Sequence, residues 1–126
     1  MVSKCRVHAT LPTSDVDSLR KWYEGVLGLT PLAVRPGAVL YETTPGSVFA
    51  ISRGSVRSSS THTQMAFTVA DVEAEVAELE ARGVVFESYE SPPTVGGIAT
   101  IGPGRAAWFK DPDGNLLALL QFDDPA

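Results

Sequence analysis

The chain has 126 residues, 44% of them hydrophobic and 20% charged, with a net charge of −5 at pH 7. That length suits a single domain able to bury its own core, and the balance is that of a folded protein rather than a disordered one. Lys4 with Arg6 and Arg20 with Lys21 are the densest basic pairs, too sparse for the basic patch that nucleic acid requires. A lone cysteine, Cys5, excludes an internal disulfide and suits a reducing compartment. No apolar run approaches the roughly 18 residues of a membrane span, and the N-terminus has no signal-peptide pattern. The expectation is a soluble cytoplasmic protein with neither a nucleic-acid nor a membrane partner.

From Lys4 to Leu11, Val7, Ala9 and Leu11 alternate with Arg6, His8 and Thr10, which predicts a strand with one apolar and one polar face. A helix follows, with Ser14 as its cap, Asp17 in the box position, a stripe of Val16, Leu19, Tyr23, Val26 and Leu27, and Gly28 as its stop. Three short strands are predicted over Thr30 to Arg35, Ala38 to Thr43 and Ser47 to Arg53, separated by Pro36-Gly37 and Pro45-Gly46. Gly54 to Thr61 is a Ser-rich surface loop.

The order then restarts. Thr63 to Val69 alternates, with Met65, Phe67 and Val69 on one face and Gln64, Ala66 and Thr68 on the other. Asp71 opens a second helix with Val72, Val76 and Leu79 on its buried side, and Gly83 ends it. Val84 to Tyr89 reads as a strand, and Ser91 to Gly104 as a long Pro- and Gly-rich loop, a candidate lid. Ala106 to Phe109 and Leu116 to Phe122 flank Asp111-Pro112-Asp113-Gly114-Asn115 and make a hairpin. At one common offset His8 falls on Gln64, Asp15 on Asp71, Val16 on Val72 and Tyr23 on Leu79. The chain is therefore one domain, residues 1–126, of two βαβββ modules at about 1–56 and 57–126. The fold class is α+β, a cupped mixed sheet with helices on its outer face.

The paired modules, Ser14-Asp15-Val16 leading to Trp22-Tyr23 and Leu27-Gly28-Leu29, and the Phe109 to Asn115 hairpin resemble the vicinal oxygen chelate superfamily. That group comprises glyoxalase, bleomycin resistance and extradiol dioxygenase proteins. The resemblance covers nearly the whole chain and is specific for fold, whereas one fold of this kind hosts many chemistries. It implies four metal-ligand positions, which fall here at His8, Gln64, Ala50 and Ala118. Enzymes of the group carry carboxylates where the two alanines stand. A divalent cation prefers at least three well-placed donors with anionic oxygen among them, so no metal and no cofactor is expected. The alternative metal set would be His8, His62 and Glu42.

Trp108 and Ala106 are placed in the cup if Phe109 faces the helix. Beside Ala50, Ala66 and Ala118, the indole suggests a pocket for a flat ligand; the bland alternative is packing in a dimer contact. Tyr41 is a second aromatic wall or a core residue. Arg6, His8, Thr10, Ser52, Gln64 and Thr68 lie on predicted cup positions and would hold polar groups of the ligand or satisfy one another through water. The expected ligand-binding set is thus Arg6, His8, Thr10, Tyr41, Ala50, Ser52, Gln64, Thr68, Trp108 and Ala118, with no catalytic residue assigned. The function it implies is metal-free binding of a small apolar or aromatic molecule, similar to the drug-sequestering resistance proteins. The alternative is a glyoxalase-like lyase or dioxygenase-type enzyme with a non-standard site. The resemblance also implies a homodimer.

Overall fold

Two aspartates open the two helices in the same way. Asp15 caps α1 (Val16–Gly25) with its carboxylate accepting the Ser18 amide at 3.1 Å, and Asp71 caps α2 (Val72–Ala81) through the Ala74 amide at 3.2 Å. Both caps are extended, with φ −145° and −143°, as a side-chain acceptor at this position requires. The cap of α1 is therefore Asp15 and not the expected Ser14; Thr13 supplies the preceding brace, accepting the Asp15 amide at 3.0 Å. Beyond the caps, Leu19 and Tyr23 are buried on α1, and Val72, Val76 and Leu79 on α2.

The computed structural model describes residues 1–54 and 61–123; most of the Ser-rich segment, 55–60, lies outside the described residues. The chain divides into two compact units, Met1–Ser58 and Ser59–Ala126. The first holds β1 (Ala9–Thr13), β2 (Pro31–Arg35), β3 (Ala38–Glu42) and β4 (Val48–Arg53) in a sheet of order β1-β4-β3-β2. β1 runs parallel to β4, and the other neighbours are antiparallel. The second holds β5 (Met65–Thr68), β6 (Thr94–Val95), β7 (Ile98–Ile101), β8 (Gly104–Lys110) and β9 (Leu116–Phe122) in the order β5-β9-β8-β7-β6. β5 runs parallel to β9. Each unit is thus a strand, a helix and an antiparallel meander whose last strand closes on the first. This is α+β architecture with two mixed sheets and two helices, as expected.

In the first unit Tyr23 packs on Tyr41 and Phe49 with ring centroids 6.0 and 5.8 Å apart, fixing which face α1 covers. Leu11, Val39, Phe49 and Ile51 are buried on that side. In the second unit Gln121 Oε1 accepts the Val72 amide at 2.9 Å, so α2 lies over the face that also carries Leu117 and Leu119. Phe109 is on that face, fully buried against Phe86 at 5.3 Å. No helix among the described residues is long and apolar enough to cross a membrane.

Three expectations change. The N-terminal strand is Ala9–Thr13, and Val2–Lys4 is a 3-10 turn, so Arg6 and His8 precede β1. Val84 to Tyr89 is no strand: its pairing is the single bridge of Phe86 to Phe109. The proposed lid, Ser91 to Gly104, contains the β6–β7 hairpin. Gly96 and Gly97, at φ 61° and 82°, form its two-residue turn, a geometry that glycine adopts without strain.

Because each cap satisfies one otherwise orphaned helix amide, Asp15→Ala and Asp71→Ala should each lower stability by about 1 kcal/mol. Urea denaturation of the two variants should show comparable shifts of midpoint at an unchanged m-value.

Candidate functional site

In each sheet the residues alternate between the helix side and the opposite face, so the register decides which side chains meet on the uncovered side. In the second unit Ala66 stands across from Ala118, and Ala118 across from Trp108. An indole therefore lies in one cross-strand row with two methyl groups, on the face turned away from α2. Thr68, Leu120 and Ala106 form the next row on the same face. The first unit repeats this pattern with Thr10, Ala50 and Leu40, followed by Pro12, Ser52 and Ala38. Leu40 is thus the counterpart of Trp108, and the aromatic wall is confined to one module.

Trp108 is half-buried and held. Its Nε1 donates to Thr63 Oγ1 at 3.0 Å, and its ring meets Tyr89 edge-on at 5.5 Å. Burial raises the Tyr89 phenol above its ordinary pKa, and the neighbouring Glu87 carboxylate adds to this. Tyr89 is a neighbour that alternation could not have supplied, since it lies in an irregular segment and not in a strand.

Arg6 and His8 line a cleft of about 450 Å³ together with Leu40, Glu42 and Val48. The cleft brings a guanidinium, an imidazole and a carboxylate onto the α1-free side of the first sheet. The Glu42 carboxylate already accepts the Gly46 amide at 3.2 Å.

Gln64 has a different role from the one expected. Its Oε1 accepts the Leu116 amide at 3.2 Å and its Nε2 donates to Asn115 Oδ1 at 3.2 Å. Asn115, fully buried, passes the connection to Asp111 Oδ2 at 2.7 Å. The Gln64 amide is committed to the hairpin turn. In the sequence pattern Asn115 figures only as part of a turn; its carboxamide in fact links that turn to β5.

Tyr41 does not share the face of Ala50. It lies on the helix side, fully buried, with its hydroxyl donating to Glu24 Oε2 at 3.0 Å. Burial raises its phenol well above the ordinary value, and the hydrogen bond to Glu24 adds to the shift. It therefore leaves the ligand-binding set. Ala38 to Tyr41 is apolar on both faces, so alternation in that strand could not tell wall from core.

The donor set does not suit the divalent metal of the related enzymes. Two of the four implied positions, Ala50 and Ala118, carry methyl groups, and Gln64 has both amide atoms engaged. His62 contacts the adjacent Thr61, with Nδ1 and Oγ1 3.4 Å apart. Among the described residues no three His, Cys, Asp or Glu side chains form a group able to hold a metal ion.

A family model described as the Glyoxalase/Bleomycin resistance protein/Dioxygenase superfamily matches residues 6–119. A search of curated proteins finds no match. Among solved structures, TnmS3, an antibiotic binding protein from Streptomyces sp. CB03234, is 25% identical with a TM-score of 0.66, covering 94% of this chain and 98% of that one. The fosfomycin resistance protein FosX from Listeria monocytogenes is 20% identical with a TM-score of 0.67, covering 91% and 90%. A glyoxalase/bleomycin resistance protein/dioxygenase from Nocardioides is 21% identical with a TM-score of 0.72, covering 96% and 85%.

Glu24 gives the site's scaffold a pH dependence. Its carboxyl is held below its ordinary pKa, first by the Arg20 hydrogen bond at 2.8 Å and then by the Tyr41 hydroxyl, against the opposing effect of burial. A depressed folded-state pKa contributes stability above the unfolded value of about 4.3 and loses it as pH falls through the folded value. Glu24→Gln should therefore be less stable than the parent at pH 7, and the gap should close below about pH 4. Chemical denaturation of both proteins from pH 7 to pH 3 measures this directly.

Proposed function

The chain belongs to the glyoxalase/bleomycin resistance protein/dioxygenase superfamily, and we propose that it acts there as a metal-free binding protein for a small apolar or aromatic molecule. The observation that carries this is the row Ala66, Ala118, Trp108. A methyl group stands where the related enzymes place a carboxylate, and the residue beside it is an indole. Such a row offers a smooth apolar surface with one aromatic plane, suited to stacking and poor at charge stabilisation. Thr68 lies one row away to meet a polar substituent; in the first module, described by itself, Arg6, His8, Thr10 and Ser52 are the polar groups proposed for ligand binding. TnmS3, an antibiotic binding protein, supports the same reading by its likeness of fold and sequence.

The action is stoichiometric: the ligand is withdrawn from solution, with no bond made or broken. The two modules act as one domain, and the protein is a cytoplasmic homodimer. An enzymatic role with a non-standard site is the second reading. It is favoured by a cleft whose lining includes His8, Glu42 and Arg6, an imidazole and a carboxylate being the elements of an acid–base pair.

Bleomycin and a panel of flat aromatic antibiotics should quench tryptophan fluorescence saturably, and fosfomycin, which has no aromatic ring, should not. By calorimetry, Trp108→Ala should bind the best quencher at least tenfold more weakly, about 1.4 kcal/mol. Its melting temperature should fall by only a few degrees. Retained binding with a large loss of stability would make Trp108 a packing residue and remove the proposed site.

A further inference from the structure

We propose that Tyr89 and Thr63 are positioning residues that fix the plane of the Trp108 indole before a ligand arrives, an assignment that rests on the binding role given to Trp108 above. A tryptophan side chain turns about two torsions, and a ligand that has to freeze them loses affinity. Trp108 is restrained from two directions. Its Nε1 donates to Thr63 Oγ1 at 3.0 Å, across 45 residues of chain. Its ring centroid is 5.5 Å from that of Tyr89 with the planes at 66°, the edge-to-face arrangement that aromatic quadrupoles favour. An indole has a single N–H and no acceptor, so the bond to Thr63 uses its only donor. What Trp108 has left to give a ligand is ring surface.

A loose Tyr89 could not hold the ring, and Tyr89 lies in no strand. Its segment is nonetheless tied to the sheet at successive residues. β7 pairs with β8 from Gly104 to Ala107, which leaves the same edge of β8 open from Trp108 onward. Phe86 and Glu87 fill that place. Phe86 bridges Phe109 and meets its ring at 5.3 Å, and the Glu87 amide donates to the Trp108 carbonyl at 2.8 Å. The β6–β7 turn backs this contact, since a Cβ on Gly97 would stand 2.9 Å from Phe86 Cβ. Tyr89 is then gripped by one residue of β6: its amide donates to Thr94 Oγ1 at 2.9 Å, and its carbonyl accepts the Thr94 amide at 3.1 Å.

The internal repeat supplies the contrast. In the first unit Leu40 occupies the place of Trp108, and its neighbour on that edge is Ala33 of the regular strand β2. The module without an indole has an ordinary strand there, and the module with one has an irregular strap that ends in an aromatic ring. Charge adds little to the strap: the Glu87–Lys110 pair spans 3.4 Å and is partly exposed. Backbone bonds and the Phe86–Phe109 contact hold it, so the position of the Tyr89 ring is set by the fold of the second unit alone.

The test pairs calorimetry, using the flat aromatic antibiotic that best quenches tryptophan fluorescence, with NMR of the ligand-free protein. The Trp108 indole N–H signal is identified by its loss in Trp108→Ala. Tyr89→Leu and Thr63→Val should each bind about fivefold more weakly, the cost of ordering one side chain at the moment of binding. In both, the indole N–H should exchange faster with solvent and show a lower heteronuclear NOE, with melting temperatures close to the parent's. Tyr89→Phe keeps the ring and Thr63→Ser keeps the acceptor, so each should restore the parent's affinity and indole signal. Parent affinity in Tyr89→Leu and Thr63→Val, with Trp108→Ala still weakened, would overturn the positioning roles and leave the binding surface standing. Weaker binding with an unchanged indole signal would overturn them too, because the loss would then come from direct contact with the ligand. A panel without a quencher, or a Trp108→Ala protein that binds like the parent, would remove the surface and the proposal with it.

Discussion

A buried chain of polar groups, Asp111 to Asn115 to Gln64, ties the β8–β9 hairpin to β5. Asp111 accepts the Asp113 and Asn115 amides, both at 2.9 Å, and the Asn115 carboxamide at 2.7 Å, closing the turn on itself. Asn115 then reaches Gln64, and Gln64 returns through the Leu116 amide to the strand that leaves the turn. Removing one member would strand buried partners, which costs more than the bond itself is worth. The chain also sets register. With the Gln64 amide bonded to the Leu116 carbonyl at 2.9 Å, Ala66 faces Ala118, and with the turn closed at Asn115, Trp108 faces Ala118 from the other side. A slip of one residue would turn Trp108 to the helix and Phe109 outward.

The same chain explains why Gln64 is poorly placed to serve as a ligand to a metal. A carboxamide that braces a turn with both of its atoms has a structural task, and its repeat partner His8, ahead of β1 and exposed, is the freer of the two. Together with the methyl group of Ala118 in the same sheet, this leaves the uncovered face of the second unit organised by shape and the Trp108 ring. The fold is retained while the charge-bearing positions of its enzymes are blank. That combination is the ground for proposing binding without turnover.

Much of this was legible in the sequence because the repeat is written in residues that the backbone requires. The Asp71 cap, the buried helix stripes and the Asp-Pro-Asp-Gly-Asn turn each have a local physical cause, so their positions survive translation into structure. Alternation against Phe109 places Trp108, and the family resemblance places Ala118; the two share one face of the sheet, with Phe109 and Leu117 beside them fully buried. What escaped had no such pattern. Tyr41 sits in a strand apolar on both faces, and its side is fixed by packing with Tyr23 and a hydrogen bond to Glu24. The β6 strand is two residues long, too short for any period, so its hairpin lay hidden in the stretch expected to be a loop.

In the proposed function a ligand is held and not transformed. The most direct measurement takes the panel compound that binds best, incubates it with stoichiometric protein before and after treatment with EDTA, and recovers it for mass spectrometry. The account predicts one bound equivalent per site, an affinity unchanged by the chelator, and the compound returned at its original mass. Conversion to a product, or binding that disappears with the metal, would contradict it.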